Sequence, residues 1–148
     1  MLDLGKEAPD FKAESTRGGF VLSEAGSPVV LFYFPKAGSR VCTKEACGFR
    51  DSMAEFNDVD ATVVGVSPND SLEDLEEFAE ENSLEFPLIS DTDGEIADLY
   101  GIGGVLGLTR KMKRVTLVID DMTVVKTIKG VLAADKHVEE SLEAVAET

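Results

Sequence analysis

The sequence predicts an α/β domain in which a central mixed β-sheet is flanked by helices on both faces. Two observations point there. Short apolar runs rich in β-branched and aromatic residues alternate with segments whose apolar residues recur at helical spacing. Near the end, two strand-like runs follow one another across a short connection. The alternation calls for crossover connections, hence parallel strands covered on both faces, whereas the closing pair reads as an antiparallel hairpin. At 148 residues, 43% of them apolar, the chain can bury one core of ordinary size, and no repeat, low-complexity tract or linker divides it. Residues 1–148 are therefore read as a single domain.

The elements follow in order. "VVLFYF" (Val29 to Phe34) is apolar throughout, as a strand buried on both faces should be, and Pro35 ends it. Val41, Phe49, Met53 and Phe56 predict a helix from about Arg40 to Phe56 with that stripe inward. "ATVVGVS" (Ala61 to Ser67) is the next buried strand. "SLEDLEEFAEE" opens with Ser71 three residues before Asp74, a variant of the capping box, and carries Leu72, Leu75, Phe78 and Ala79 on one face. "FPLIS" is a short strand, Asp91 to Gly94 a turn, and "EIADLYG" a short helix closed by Gly101. "RVTLVI" (Arg114 to Ile119) and "TVVKTIK" (Thr123 to Lys129) flank "DDM" as the hairpin. The last helix takes Asp135 as its cap and Val138, Leu142 and Val145 as its inner stripe. The order βαβαβαββα is that of the thioredoxin-like fold.

Composition narrows the function classes. With 29 acidic against 14 basic side chains the net charge is -15, which repels phosphate backbones and anionic membranes, so nucleic acid is not an expected partner. "MLDLGKEAPDF" has neither a basic n-region nor an apolar h-region, and no apolar run approaches the roughly 18 residues that span a bilayer. A cytoplasmic protein without a membrane partner is expected. Twelve acidic residues and no Lys or Arg lie between Asp70 and Asp98. They read as a solvated helix face, with a docking surface or a salt-adapted host as alternatives.

Both cysteines, Cys42 and Cys47, fall within "SRVCTKEAC". A structural zinc site needs four ligands, and the chain offers two Cys and the distant His137, so no metal is expected. A stabilising disulfide would close a very small loop in a reducing compartment. Two buried structural thiols remain open as a reading. Against it stands the placement of Cys42 in the first turn of a helix, directly after a strand and close in sequence to Arg40 and Lys44, where helix amides and cationic neighbours favour a nucleophilic thiolate.

"PKAGSRVCTKEACGFRD" resembles the active-site segment of the peroxiredoxins: Pro35, then Ser39 where most members have Thr, then Cys42, then Glu45. A second cysteine five residues on, Cys47, is the mark of the peroxiredoxin Q branch, also called bacterioferritin comigratory protein. The likeness continues through "GKEAPDF", "VVGVSPND", "FPLISDTDGEIADLYGI" and "RVTLVID".

The resemblance implies a thiol peroxidase acting on hydrogen peroxide and organic hydroperoxides without a bound cofactor. Cys42 would be the peroxidatic thiolate. Cys47 would capture the resulting sulfenic acid as an intramolecular disulfide, which thioredoxin or a similar dithiol would reduce. Arg114 would stabilise the thiolate and the polarised peroxide, Ser39 would hydrogen-bond the peroxide, Glu45 would orient arginine, and Pro35 would shield the pocket. A monomer is expected, because members of the branch often are and because the charge opposes self-association. "GIGGVLGLTRKMK" (Gly101 to Lys113) departs from the family and reads as a mobile loop beside the site; its glycines fit no dinucleotide fingerprint. Two rivals remain for comparison. A thioredoxin-like dithiol oxidoreductase would carry Cys-x-x-Cys and a proline where Val115 stands, and a binding module would keep the fold with inert thiols.

Overall fold

The computed structural model describes residues 4–102, 113–130 and 132–148. The strands are β1 (Lys12–Ser15), β2 (Gly18–Val21), β3 (Val29–Tyr33), β4 (Thr62–Ser67), β5 (Leu88–Ser90), β6 (Val115–Asp120) and β7 (Thr123–Lys129). The helices are α1 (Arg40–Asp51), α2 (Met53–Asp58), α3 (Leu72–Glu81), α4 (Glu95–Leu99) and α5 (Ala134–Ala146). The strands form one mixed sheet in the order β2-β1-β5-β4-β3-β6-β7. β3 pairs parallel with β4, and β4 with β5, while β6 runs antiparallel to both β3 and β7.

The run "VVLFYF" divides its side chains between two cores, because successive strand residues point to opposite faces. Val29, Leu31 and Tyr33 join Phe11, Phe20, Ile96 and Tyr100 on the face covered by α4 and the amino-terminal segment. Val30, Phe32 and Phe34 join Cys42, Ala46, Phe49, Phe56, Leu75, Phe78 and Val138 on the face covered by α1, α3 and α5. α1 is seated by an aromatic stack: the rings of Phe32 and Phe49 lie 4.6 Å apart, and Phe56 packs on Phe49 at 5.8 Å. Gly65 of β4 leaves room for the Phe32 ring, which would lie 2.8 Å from a β-carbon there. Truncating a fully buried phenylalanine such as Phe49 to alanine costs about 3–5 kcal/mol in general, so this is a firm anchor.

Four expectations are corrected. The amino-terminal hairpin β1–β2 was not anticipated. The helix expected over Arg40 to Phe56 breaks at Ser52, whose ψ of 7° ends α1 before α2 begins. Of its expected inward stripe, Phe49 and Phe56 are buried, but Val41 and Met53 are only partly so; Cys42, Glu45 and Ala46 take the inner face of α1. Asp135 does not cap α5: the cap position is Ala133, with no side-chain bond, and Asp135 lies in the first turn with its carboxylate 3.3 Å from Lys44 Nζ. The Ser71 cap of α3 is formed as expected, its hydroxyl accepting from the Asp74 amide at 3.1 Å. The segment expected to be a loop beside the site lies outside the described residues apart from Gly101, Ile102 and Lys113. No helix among the described residues is long and apolar enough to cross a membrane.

Candidate active site

The sheet topology brings together two residues far apart in sequence. β3 ends where α1 begins, so Cys42, the third residue of α1, sits above the carboxyl end of β3. β6 is antiparallel to β3 and pairs Val115 with Tyr33, so the residue preceding it, Arg114, arrives at the same end. By strand alternation Arg114 shares the face of Thr116 and Val118, which is the face of α1. Its Nη2 donates to Cys42 Sγ at 3.0 Å, and its Nη1 donates to the Glu45 carboxylate one turn further along α1. All three side chains are buried.

A guanidinium is the cation suited to this position, because its planar fork serves two acceptors at once. The neighbours nearest in sequence do not supply the charge. Arg40 is exposed, and Lys44 turns outward to Asp135. The cation expected from local sequence thus comes from across the sheet.

The loop between β3 and α1 is strapped to the loop after β4. Asp70 is buried and accepts from the Ala37 amide at 2.8 Å, from the Ser67 hydroxyl and from Lys36 Nζ at 2.8 Å. Asn69 Nδ2 donates to the Pro35 carbonyl. These contacts fix the half-buried Pro35 and the turn that delivers Ser39 to the cap position of α1. The Ser39 hydroxyl does not cap the helix; it donates to the Lys36 carbonyl at 2.9 Å. Its lone pairs are still able to accept.

Glu45 is the most buried charge of the site. Burial pushes its carboxyl up to about 7, against the lowering pull of Arg114. Its second oxygen, Oε2, has no hydrogen-bond partner among the described residues and lies 3.6 Å from Nδ1 of His137 on α5. That histidine is buried, and its ring is satisfied on both sides: Nε2 lies 3.0 Å from the Gly130 carbonyl and Nδ1 lies 2.7 Å from the Thr116 hydroxyl. The carbonyl can only accept, so Nε2 carries the hydrogen and Nδ1 receives the Thr116 hydroxyl. Burial holds the ring below its ordinary pKa, opposed by its bond to Gly130. His137 is therefore a neutral packing partner of Glu45, not a second charge.

Cys47 is in different surroundings. It lies in the same unbroken α1 as Cys42, is partly exposed, and both thiols are free. Its Sγ donates to Asn82 Oδ1 at 3.6 Å, whereas Cys42 receives a donor. Arg50, one turn later, donates to the Asn82 carbonyl at 2.8 Å. Asp51 first, and the Cys47 sulfur second, hold Arg50 above its ordinary pKa. Among the described residues there is no group of three His, Cys, Asp or Glu placed to hold a metal.

Residues 4–128 match the AhpC/TSA family, which is most of the chain. The chain belongs to that family, the peroxiredoxins. A putative peroxiredoxin of Mycobacterium tuberculosis is 40% identical over 138 residues, covering 92% of this chain and 88% of the relative. Chloroplastic peroxiredoxin Q of Sedum lineare is 36% identical, covering 93% and 75%. The crystal structure of peroxidoxin BcpB from Mycobacterium tuberculosis superposes with a TM-score of 0.90 at 37% identity, covering 99% of this chain and 98% of that one. As a peroxiredoxin of the Bcp and Q type, the chain is a thiol peroxidase with the thioredoxin-like fold. Peroxiredoxins use peroxides and thioredoxin-type reductants.

Among the six residues expected at the site, Cys42, Glu45 and Arg114 are in direct contact, Ser39 and Pro35 belong to the loop leading to them, and Cys47 lies apart on the same helix. Asp70, Asn69, His137, Asn82 and Arg50 were not anticipated. Asp70 and Asn69 fall within the quoted stretch "VVGVSPND", the one signal that could have pointed to them.

Proposed function

We propose that Cys42 is the peroxidatic thiolate of this single-domain enzyme and Cys47 its resolving thiol. The observation that carries the reading is the Arg114 guanidinium aimed at Cys42 Sγ from 3.0 Å inside a buried site. The Cys42 sulfur receives a cationic donor, which favours the nucleophilic anion, whereas the Cys47 sulfur donates to an amide oxygen. The thiolate attacks the terminal oxygen of a hydroperoxide, the O–O bond breaks, and the departing alkoxide or hydroxide takes up a proton to leave as alcohol or water. Negative charge develops on the leaving oxygen, where the Arg114 fork supplies fixed donors. Ser39 holds the peroxide proton through its hydroxyl lone pairs, Glu45 aligns Arg114, and Pro35 limits water at the pocket.

Cys47 then attacks the sulfur of the Cys42 sulfenic acid, water leaves, and a disulfide forms that thioredoxin or a similar dithiol reduces. The enzyme takes hydrogen peroxide and organic hydroperoxides and works as a cytoplasmic monomer, for which the charge of -15 is the supporting observation. The test is a pair of substitutions. Cys42→Ser abolishes peroxide reduction, while Cys47→Ser consumes about one equivalent and then stalls unless a small thiol is added. Interchangeable effects of the two substitutions would refute these roles.

A further inference from the structure

We propose that Asn82 and Arg50 form a clasp that holds Cys47 within α1, so that these two positioning residues set how fast the resolving thiol is released toward oxidised Cys42. The inference rests on Cys47 being the resolving thiol.

Release is required by geometry. Residues five apart on an intact helix have Cα atoms roughly 8 to 9 Å apart, and a disulfide needs less than about 7 Å. α1 must therefore unwind somewhere between Cys42 and the Phe49 anchor that stacks on Phe32. In that stretch Cys47 is only partly buried and Gly48 backs onto Val138 of α5, and what holds Cys47 comes from α3. Asn82 closes the carboxyl end of that helix, its own amide donating back to Glu80 and Phe78. Its side-chain Nδ2 donates to the Phe78 carbonyl at 2.9 Å, which fixes the rotamer and leaves Oδ1 facing Cys47. The Asn82 main-chain carbonyl faces Arg50. Leu75 and Phe78 bury α3 in the core, so both acceptors stand on a rigid element. α1 is thus tied to α3 on either side of Gly48, a residue that weakens a helix by roughly 1 kcal/mol relative to alanine.

The clasp decides between two fates of the Cys42 sulfenic acid. Attack by Cys47 forms the S–S bond and expels water. Attack on a second hydroperoxide instead forms a second S–O bond, breaks that O–O bond, releases alcohol or water, and leaves a sulfinic acid. A looser clasp favours the first route.

The experiment mixes reduced protein with a peroxide pulse, quenches with acid and alkylating agent, and counts thiol, disulfide and sulfinic forms by mass. Asn82→Ala should form the disulfide roughly threefold faster, by loss of one weak bond, and Arg50→Met roughly tenfold faster, by loss of a charge-assisted one. Loss of the Cys42 thiol itself should keep its rate, and the sulfinic fraction at excess peroxide should fall. General destabilisation would not produce that split. An unchanged or slower disulfide step in Asn82→Ala, with the first step intact, overturns the proposal. Arg50→Met decides in the same way should Asn82→Ala fail to fold. A wild-type disulfide that does not contain Cys47 overturns the assignment of the resolving thiol instead.

Discussion

The two ends of α1 are built on opposite plans. At its start, Cys42 is buried, receives a hydrogen bond from a guanidinium delivered by β6, and sits one turn from a buried carboxylate. Near its other end, Cys47 is partly exposed and donates to a neutral amide at the tip of α3. The first sulfur is held by the residue that leads into a central sheet strand, and the second by a helix end. One helix can therefore keep a reacting atom fixed while leaving its partner free to depart. Catalysis needs the first property, because preorganised charge is effective only when it does not rearrange. Disulfide formation needs the second.

The largest expected effect tests the rigid end. Arg114→Ala should slow the reaction with peroxide by about 10²–10³-fold, the usual loss when one fixed donor to a developing charge is removed. Arg114→Lys should recover little, since a point charge cannot serve Cys42 and Glu45 together. Stopped-flow measurement of peroxide consumption, with the neutral-pH alkylation rate of Cys42 as a second readout, checks this; an unchanged pair of rates removes Arg114 from the site.

A smaller effect concerns the carboxylate beneath it. Burial raises Glu45 from 4.5 to about 7, so between those values the folded chain binds a proton that the unfolded chain has released. Stability contributed by this group is present below about pH 4.5 and falls as pH rises toward 7, by about 3 kcal/mol at most. Comparing urea midpoints of the wild type and Glu45→Gln at about pH 5 and about pH 8 isolates the slope. The wild type should lose stability relative to the variant over that interval, and parallel profiles would contradict the assignment.

The smallest effect tests the releasable end. Amides 43 to 49 should exchange roughly tenfold or more faster in the disulfide form than in the reduced protein, because unwinding between Cys42 and Cys47 takes away the carbonyls to which they donate. Equal protection in both forms would mean that the disulfide closes without unwinding.

How much of this was legible in the sequence depends on whether a signal is local. Ser71 and Asp74 announce the start of α3 because the capping bond spans three residues. "VVLFYF" announces a strand covered on both sides for the same reason. The β1–β2 hairpin escaped because it lies at the sheet edge, where Lys12, Glu14, Gly18 and Gly19 are exposed and the apolar alternation is faint. The break at Ser52 escaped because Met53 and Phe56 continue the helical stripe across it. At the site, the motif around Cys42 and the likeness to the peroxiredoxins gave Glu45 and Arg114, but Arg40 and Lys44 misled, since proximity in sequence is not proximity at the sulfur. Asn82 and His137 are single polar residues whose partners lie on other elements, and no periodicity marks them.

The position of Arg114 just ahead of β6 has a consequence for how such chains can change in length. Its side chain reaches Cys42 because Thr116 and Val118, which face α1, follow it by two and four positions along the strand. One residue inserted between Arg114 and Thr116, with the pairing of Val118 and Ile119 to β3 kept, would turn the guanidinium toward the core of Leu31 and Tyr33 and leave Glu45 as a buried carboxyl without its cation. Length variation among descendants should therefore be excluded from this short stretch, even where substitutions along the outer edges of the sheet accumulate freely.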